Sequence, residues 1–314
     1  MIESNARVGF VGAGKVGTAL GELFRSCGIV VSGYSSLLAE DAQAAAEKTA
    51  SDAYADAAEV VEASDVIFFT VPDGEISNAW KSLVASYGAA ACDALFGKIV
   101  CHCSGALPAA VLADAAEYGA KAVSVHPLFA ISGGGSAQAK IGTALFTLEG
   151  DESALATVSA LLDVCGVCHR EIASSDKPLY HAAAVCASNL AVGLFASAQT
   201  MLERCGFGAD EARGALRALF VGNCESIAER GPIDALTGPI ERNGRGAPHG
   251  VSGGPNAVEG ARRVYGAFAC GGRGCSRETS REGLFAYRGN TQGRTIGSEN
   301  DMREGRAWRG CLGS

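Results

Sequence analysis

The stretch RVGFVGAGKVGTALG, residues 7–21, decides the fold of this chain. Its first five residues form a short apolar run that predicts a strand, and an amphipathic helix is predicted to follow. Between them lies a GxGxxG pattern made by Gly12, Gly14 and Gly17. In this setting the first glycine permits a tight turn, the second lets a pyrophosphate approach the backbone, and the third lets the helix pack on the strand. The pattern therefore predicts dinucleotide binding.

Strand-like and helix-like segments alternate after this turn as far as residue 173. Short apolar runs such as DVIFFTVP, KIVCHCSG and KAVSVHP are separated by segments with helical periodicity, one of them predicted over 108–118. Strands buried on both faces and separated by helices predict an α/β fold with a doubly wound, mostly parallel sheet. We therefore place a dinucleotide-binding domain at 1–173. Two helices, at about 176–205 and 209–229, predict a small all-α domain at 174–243.

Chain length and cysteine content limit the classes of protein to which this chain can belong. The 314 residues are enough for two ordinary domains. The N-terminal stretch has an acid at position 3 and no basic n-region, so no secretory signal is expected. Twelve scattered cysteines then indicate reduced thiols and a cytoplasmic location. The uncharged run from Ala182 to Leu202 is interpreted as a buried helix, and no membrane partner is expected.

The last 71 residues have a different composition from the rest. Residues 1–243 carry a net charge of −13, whereas residues 244–314 carry +5 and 17 of the 42 glycines. Such a segment buries too little apolar surface to offset its ordering entropy, so we predict that 244–314 is largely disordered. A reading-frame shift is one origin, because out-of-frame GC-rich codons yield Gly, Arg, Ala and Pro. A nucleic-acid-binding tail is the alternative, disfavoured because GGRG occurs once and acids are interspersed.

Polar residues stand at successive predicted strand ends. Val71-Pro72-Asp73, His102-Cys103-Ser104-Gly105 and His126-Pro127 each follow an apolar run. Ligands of open α/β sheets bind beyond the carboxyl ends of the strands, so these ends are expected to meet in one crevice. There Ser104 would hold a substrate oxygen or nitrogen and His126 would exchange its proton. The alternative for His126 is a turn histidine bonded to the backbone.

The first predicted helix of the all-α domain carries a polar stripe. Lys177, His181 and Ser188 are 4 and 7 residues apart and fall on one helical face, whereas Asn189 lies about 80° away from His181. We expect Lys177 or His181 to close the site from this helix. A solvated face is the alternative, chiefly for Lys177.

The second predicted strand bears on cofactor choice. It ends in Tyr34-Ser35-Ser36, where an NAD-binding protein would carry an acid for the ribose 2′-hydroxyl. The missing carboxylate favours NADP over NAD, although no arginine stands there to hold the 2′-phosphate. The predicted cofactor-binding residues are Gly12, Ala13, Gly14, Lys15, Val16, Gly17, Ser35, Ser36, Val71 and Pro72.

No metal site is predicted. Cys165-Gly166-Val167-Cys168-His169 matches the haem-attachment pattern, but it falls on a helix-to-strand turn, where we interpret it as chance. Cys101 and Cys103 lack the repeated spacing of a zinc site.

The motifs GFVGAGKVGTALG, VPD, HCSGAL, HPLF, YHAAAVCASN and ALTGP resemble, in order, those of a bacterial family. These are Rossmann-like proteins whose helical C-terminal part is the domain of unknown function 2520, and the resemblance covers about residues 7–243. The family is similar to pyrroline-5-carboxylate reductase, β-hydroxyacid dehydrogenases and prephenate dehydrogenase. In the last of these a Ser and a His-Pro act at the substrate, and this pattern corresponds to Ser104 and His126.

The resemblance implies an NAD(P)-dependent oxidoreductase that transfers hydride between a nicotinamide cofactor and a small carbonyl, hydroxyl or imine substrate. It also implies a homodimer formed through the helical domain. Related proteins continue past the GP motif with further helices, so the helical domain is expected to be truncated here. The alternative function is a non-catalytic NADP-binding sensor, which would not need polar residues at the strand ends.

Overall fold

An eight-stranded sheet organises the part of the chain that the structure, a computed structural model, describes: residues 6–112, 114–130 and 141–235. The strand order is β3-β2-β1-β4-β5-β6-β7-β8. All neighbouring strands are parallel except β6 and β7. The predicted mostly parallel, doubly wound sheet is thus confirmed. The strands are β1 (Arg7–Val11), β2 (Val30–Ser35), β3 (Asp52–Ala53), β4 (Val66–Phe69), β5 (Ile99–His102), β6 (Lys121–Leu128), β7 (Leu145–Gly150) and β8 (His169–Glu171).

Helices connect most of these strands and then continue alone beyond β8. They are α1 (Lys15–Ser26), α2 (Ala39–Thr49), α3 (Ala57–Ala63), α4 (Ile76–Tyr87), α5 (Ala91–Leu95), α6 (Glu152–Val164), α7 (Lys177–Ala187), α8 (Asn189–Arg204) and α9 (Ala209–Asp234). The helix predicted over 108–118 is wrong, since two short 3-10 turns, Ala109–Leu112 and Ala115–Tyr118, stand there. Side chains take the early donors of this segment: Leu107 N–H bonds to Ser104 Oγ and Ala109 N–H to Glu149 Oε2.

The sheet buries a separate apolar layer on each face. Successive side chains of a strand point to opposite faces, so Phe68 of β4 joins one layer while Ile67 and Phe69 join the other. In the first layer Phe10 stacks on Tyr34 and Phe68, with ring centroids 5.0 and 5.6 Å apart. The second layer includes Trp80 of α4. With both faces covered, the strand ends are the open edge.

The helices after β8 depart from the prediction in two respects. One continuous helix is predicted over 176–205, but the chain breaks at Ser188, whose φ of −118° and ψ of −83° are not helical. The Ser188 hydroxyl donates to Ala184 O at 2.6 Å and so caps α7. Helix α9 extends past the predicted end at 229, with a kink at Gly231 and Pro232.

Two compact units divide the described residues, one reaching Ala191 and one beginning at Val192. Helix α7 therefore lies in the same unit as the sheet, although it was predicted to belong to the second domain. In the second unit, Phe195 of α8 and Phe220 of α9 pack edge to face with centroids 5.1 Å apart. The predicted tail, 244–314, and its proposed reading-frame origin lie outside the described residues.

The uncharged run in α7 and α8 is more exposed than predicted. By length and composition alone, Ser174–Arg204 could cross a membrane. An 18-residue stretch within it has a mean hydropathy of 1.5, and none of that stretch is buried. The prediction of a buried helix is therefore wrong for the described chain, since no residue of α8 is buried. Lys177 and Tyr180 of α7 nevertheless bond to groups of the strand-end region, which ties the start of this stretch to the sheet domain.

Gly21 provides a test of the packing between α1 and the sheet. A Cβ at Gly21 would lie 1.7 Å from Tyr34 OH, a hydroxyl buried in the first layer. We expect Gly21→Ala to lower the free energy of unfolding by ~1–3 kcal/mol through overpacking, despite the higher helix propensity of alanine. Urea denaturation measures this loss. Tyr34→Phe removes the clashing oxygen, so the double variant should recover part of the loss; strictly additive effects would contradict the packing argument.

Candidate functional site

Gly12 fastens the first turn to two neighbouring strands. Its N–H donates to Ser35 O at 2.8 Å, and its carbonyl accepts from Thr70 Oγ1 at 2.6 Å. Its φ of +110° is the left-handed region, and a Cβ would lie 2.9 Å from the Thr70 carbonyl carbon. The fold itself thus requires glycine at position 12.

Gly17 and Gly14 differ in what surrounds them. A Cβ at Gly17 would lie 2.4 Å from Thr70 Oγ1 and 2.6 Å from Gly12 O, so α1 packs too closely for any other residue. At Gly14 the nearest atom is Thr70 O, 4.0 Å from the added Cβ. The backbone of Gly14 is therefore open to an approaching ligand, as the pyrophosphate prediction requires.

The N-terminus of α1 suits an anion. Gly14 is the N-cap residue, no side chain caps the helix, and no acidic residue stands in its first turn. Its first N–H groups and the helix dipole therefore favour a negatively charged group. Lys15 is exposed beside them. These residues fit the pyrophosphate of a dinucleotide.

The other predicted cofactor residues divide into packed and accessible ones. Ala13, Val16 and Val71 are partly buried against the core, and the Ser35 side chain is buried. Ser36 is half-buried and Pro72 exposed. At the end of β2, Ser36 is thus the predicted residue with a partly accessible hydroxyl.

Ser104 uses its hydroxyl within the protein. Its Oγ donates to Asp73 Oδ2 at 2.6 Å and accepts from Ala106 N–H at 3.2 Å and Leu107 N–H at 3.0 Å. Asp73 stands on the 3-10 turn that follows β4. This arrangement joins the β4 and β5 ends, and it engages the only hydroxyl proton of Ser104. Asp73 belongs to the VPD motif but is not among the predicted site residues.

His102 holds the backbone of Ser104 through a hydrogen bond. Its ring is fully buried, Nδ1 accepts from Ser104 N–H at 3.2 Å, and Nε2 lies 3.1 Å from Pro108 O. Because a carbonyl can only accept, Nε2 carries the proton. Burial lowers the pKa of His102 to about 4, so the ring is neutral at pH 7.

His126 lies inside β6, two residues beyond Ser124, which pairs with the last residue of β5. The prediction that His126 stands at the end of its own strand is therefore wrong, since β6 continues to Leu128 and pairs there with β7. Its Nδ1 is 2.7 Å from Tyr180 OH of α7. A Cβ at Gly105 would lie 2.8 Å from the His126 Cε1 and Nε2 atoms, so glycine at 105 makes room for this ring. Burial lowers the pKa of His126 to about 4, and the positive charge of Lys177 acts in the same direction. The neutral ring is thus the form present at pH 7.

Lys177 is buried, with 1% of its surface exposed, which excludes the solvated-face alternative. Its Nζ donates to Ser104 O at 3.0 Å and to Ser124 Oγ. Burial lowers the pKa of Lys177, while the negative charges of Glu149 and Asp73 oppose this. Lys177 thereby ties the start of α7 to the loop after β5 and to the middle of β6.

The four predicted catalytic residues differ in how closely the structure brings them together. Ser104 and Lys177 share a hydrogen bond, and His126 packs beside Gly105. His181 lies one turn beyond Lys177, half-buried, and its Nδ1 has no hydrogen-bond partner within the described part of the chain. Tyr180 is not among the predicted site residues, although its place three residues after Lys177 puts it near the same helical face.

The described residues contain no group of three or more His, Cys, Asp or Glu side chains that could hold a metal ion. His169 of the CxxCH pattern contacts Asp163, with its Nε2 3.0 Å from Oδ1.

Family comparisons match both parts of the chain. Residues 1–127 match the Rossmann-like domain, and residues 144–247 match the domain of unknown function (DUF2520). No curated protein matches the chain.

Solved structures share the fold. Protein TM1727 from Thermotoga maritima is 24% identical, with 83% of this chain and 90% of that chain covered and a TM-score of 0.56. Plasmodium falciparum pyrroline carboxylate reductase with NADP bound is 15% identical, covering 85% and 92%, with a TM-score of 0.53. The reductive aminase from Aspergillus terreus in complex with NADPH and ethyl-5-oxohexanoate is 19% identical, covering 71% and 75%, with a TM-score of 0.54.

The two neutral histidines make stability pH-dependent. Their pKa values of about 4 lie below the ordinary 6.5, so the unfolded chain binds protons that the folded chain does not. As pH falls from 6.5 to 4, each should lower the free energy of unfolding by up to ~1.4 kcal/mol per pH unit. Urea denaturation at several pH values measures the slope. His126→Gln should remove about one histidine's share; an unchanged slope would contradict the burial of this ring.

Proposed function

Because the chain carries a Rossmann-like domain followed by DUF2520, we propose that it is an NAD(P)-dependent oxidoreductase. It transfers hydride between a nicotinamide cofactor and a small carbonyl, hydroxyl or imine substrate. The observation that carries this proposal is the open backbone at Gly14, placed at the uncapped N-terminus of α1. Gly12 and Gly17 are needed by the fold itself, so Gly14 is the glycine whose openness points to a ligand.

NADP is the proposed cofactor. Ser36 offers a hydroxyl where an acid would disfavour a 2′-phosphate, and exposed Lys15 adds positive charge at the pyrophosphate position. The Plasmodium reductase and the Aspergillus aminase are described with NADP and NADPH, respectively. Glu40 and Asp41 in the first turn of α2 are the observation that favours NAD instead.

The nicotinamide, when bound, supplies or takes the hydride. His126 exchanges the substrate's proton through Nε2, because Tyr180 engages Nδ1. Asp73 holds the Ser104 hydroxyl, and Lys177 holds the Ser104 carbonyl, so the loop beside the His126 ring stays rigid. His181 contributes a further ring nitrogen from α7. In reduction, hydride reaches the substrate carbon and the proton reaches its oxygen or nitrogen, with solvent as the net proton source.

The helices beyond β8 suit a second copy of the chain. Large apolar side chains are exposed on α8 and α9, among them Val192, Leu194, Met201 and Leu219. Apolar patches of this kind mark interaction surfaces, and homodimers are the commonest assemblies. We infer a cytoplasmic homodimer formed through these helices, and light scattering of the purified chain measures its mass.

A non-catalytic NADP-binding sensor is the second candidate. It is favoured by one observation: Ser104 and Lys177, two of the four predicted catalytic residues, are engaged by protein groups. Nucleotide binding without turnover on any carbonyl or imine would support this alternative.

Gly14→Val tests the cofactor site. Gly14 has φ −73° and ψ −173°, a conformation that valine adopts, so the fold should tolerate the change. The side chain would block approach to the backbone, and we expect NADPH affinity to fall more than ~10-fold, as for the loss of more than one hydrogen bond. NADPH fluorescence titration measures the affinity and thermal unfolding checks the fold. Gly17→Ala is the contrasting variant, expected to lose stability. Unchanged affinity in Gly14→Val would exclude this assignment.

His126→Asn tests the proton-transfer role. We expect turnover to fall by ~10²–10⁴-fold, the usual effect of losing a general acid or base, while NADPH affinity stays near that of the wild type. The measurement is NADPH oxidation with a panel of keto acids, cyclic imines and imines formed from ketones and amines. A variant that keeps wild-type turnover would show that His126 takes no part in proton transfer.

A further inference from the structure

The contact between His126 and Tyr180 joins the sheet to α7 at the site. The Tyr180 oxygen lies 2.7 Å from His126 Nδ1, and the two rings are nearly perpendicular, at 85° with centroids 5.6 Å apart. Both side chains are partly buried. Tyr180 and Lys177 lie on the same stretch of α7, so the buried ammonium anchors the helix that presents this phenol.

The direction of this hydrogen bond follows from the chemistry of the two groups. A phenol O–H is a stronger acid than a neutral imidazole N–H, and an imidazole lone pair is a stronger base than a phenol oxygen. Burial raises the pKa of Tyr180, so the hydroxyl keeps its proton at neutral pH. Tyr180 therefore donates, Nδ1 accepts, and the single proton of neutral His126 resides on Nε2.

We propose that Tyr180 is a positioning residue that holds His126 in the Nε2–H tautomer, so that this site presents a hydrogen-bond donor to the substrate. The inference rests on the proposed function and deepens it. A neutral imidazole that donates polarises an acceptor atom and does not abstract a proton through the same nitrogen. The substrate class is therefore one whose reacting heteroatom offers a lone pair, a carbonyl or an imine, and the favoured direction is reduction.

Removing the Tyr180 hydroxyl should shift the His126 pKa in opposite directions for the two possible directions of the hydrogen bond. A hydrogen bond donated to Nδ1 stabilises the neutral ring, so its loss in Tyr180→Phe should raise the His126 pKa. If His126 donated instead, the same loss should lower it. The other groups that act on this ring, Lys177, His181, Asp73 and His102, are unchanged in the variant.

The experiment is NMR of the full chain with ¹⁵N-labelled histidine, with His126 signals assigned by His126→Asn. We expect wild-type shifts of the Nε2–H tautomer, and in Tyr180→Phe a mixture of tautomers with a pKa raised toward 6.5. Tyr87→Phe is the matched control, since Tyr87 OH donates to Ala58 O at 3.0 Å in another part of the fold. It should leave the His126 signals and pKa unchanged.

Turnover supplies the second readout. With an imine or carbonyl that the wild type reduces, Tyr180→Phe should lower kcat about tenfold, the worth of one hydrogen bond, with little change in the KM for NADPH. A lowered His126 pKa, unchanged tautomer signals, or an Nδ1–H tautomer in the wild type would each overturn the proposal. If the variant does not fold, the tautomer seen in the wild-type spectrum still tests the proposal. Absence of turnover on every substrate counts against the proposed function, whereas the NMR result still decides the role of Tyr180.

Discussion

The buried ammonium of Lys177 is the constraint on which the rest of the site depends. Taking a charged amine out of water is costly unless its donors find acceptors, and Lys177 finds them in Ser104 O and Ser124 Oγ. Ser104 follows the end of β5, and Ser124 lies within β6 opposite the last residue of β5. Helix α7 is therefore held at the sheet edge, and Tyr180 reaches His126 as a consequence.

The strand ends form a network of polar groups around neutral rings. Asp73 holds Ser104, Ser104 holds the following turn, and His102 holds the Ser104 N–H. Each bond satisfies a group that would otherwise be buried at a cost, and together they limit how the loop can move. The same burial keeps His102 and His126 uncharged. A neutral imidazole ring of this kind favours donation of a hydrogen bond through its single N–H over action as a charged acid.

The three glycines of the first turn differ in whether the fold or the proposed ligand requires them. Gly12 and Gly17 meet Thr70 so closely that side chains there would displace β4 or α1, whereas a Cβ at Gly14 would come no nearer than 4.0 Å to Thr70 O. A pattern of three glycines looks uniform in sequence, but two of them are explained by packing. The remaining one, at the uncapped end of α1, is where the proposed cofactor function resides.

The sequence by itself determined the alternation of strands and helices, the glycine turn and the position of Ser104 just after β5, because local periodicity and turn chemistry specify these. His126 was predicted to end a strand, but β6 continues through it to Leu128 and pairs there with β7. Tertiary structure alone decided which groups are already engaged. Ser104 meets Asp73 across 31 residues, His126 meets Tyr180 across 54, and Lys177 meets Ser104 across 73. It also decided that α8 stays exposed and that the chain breaks at Ser188. No local pattern encodes such pairings, since they depend on how distant segments pack, and packing sets which protons and lone pairs remain for a substrate.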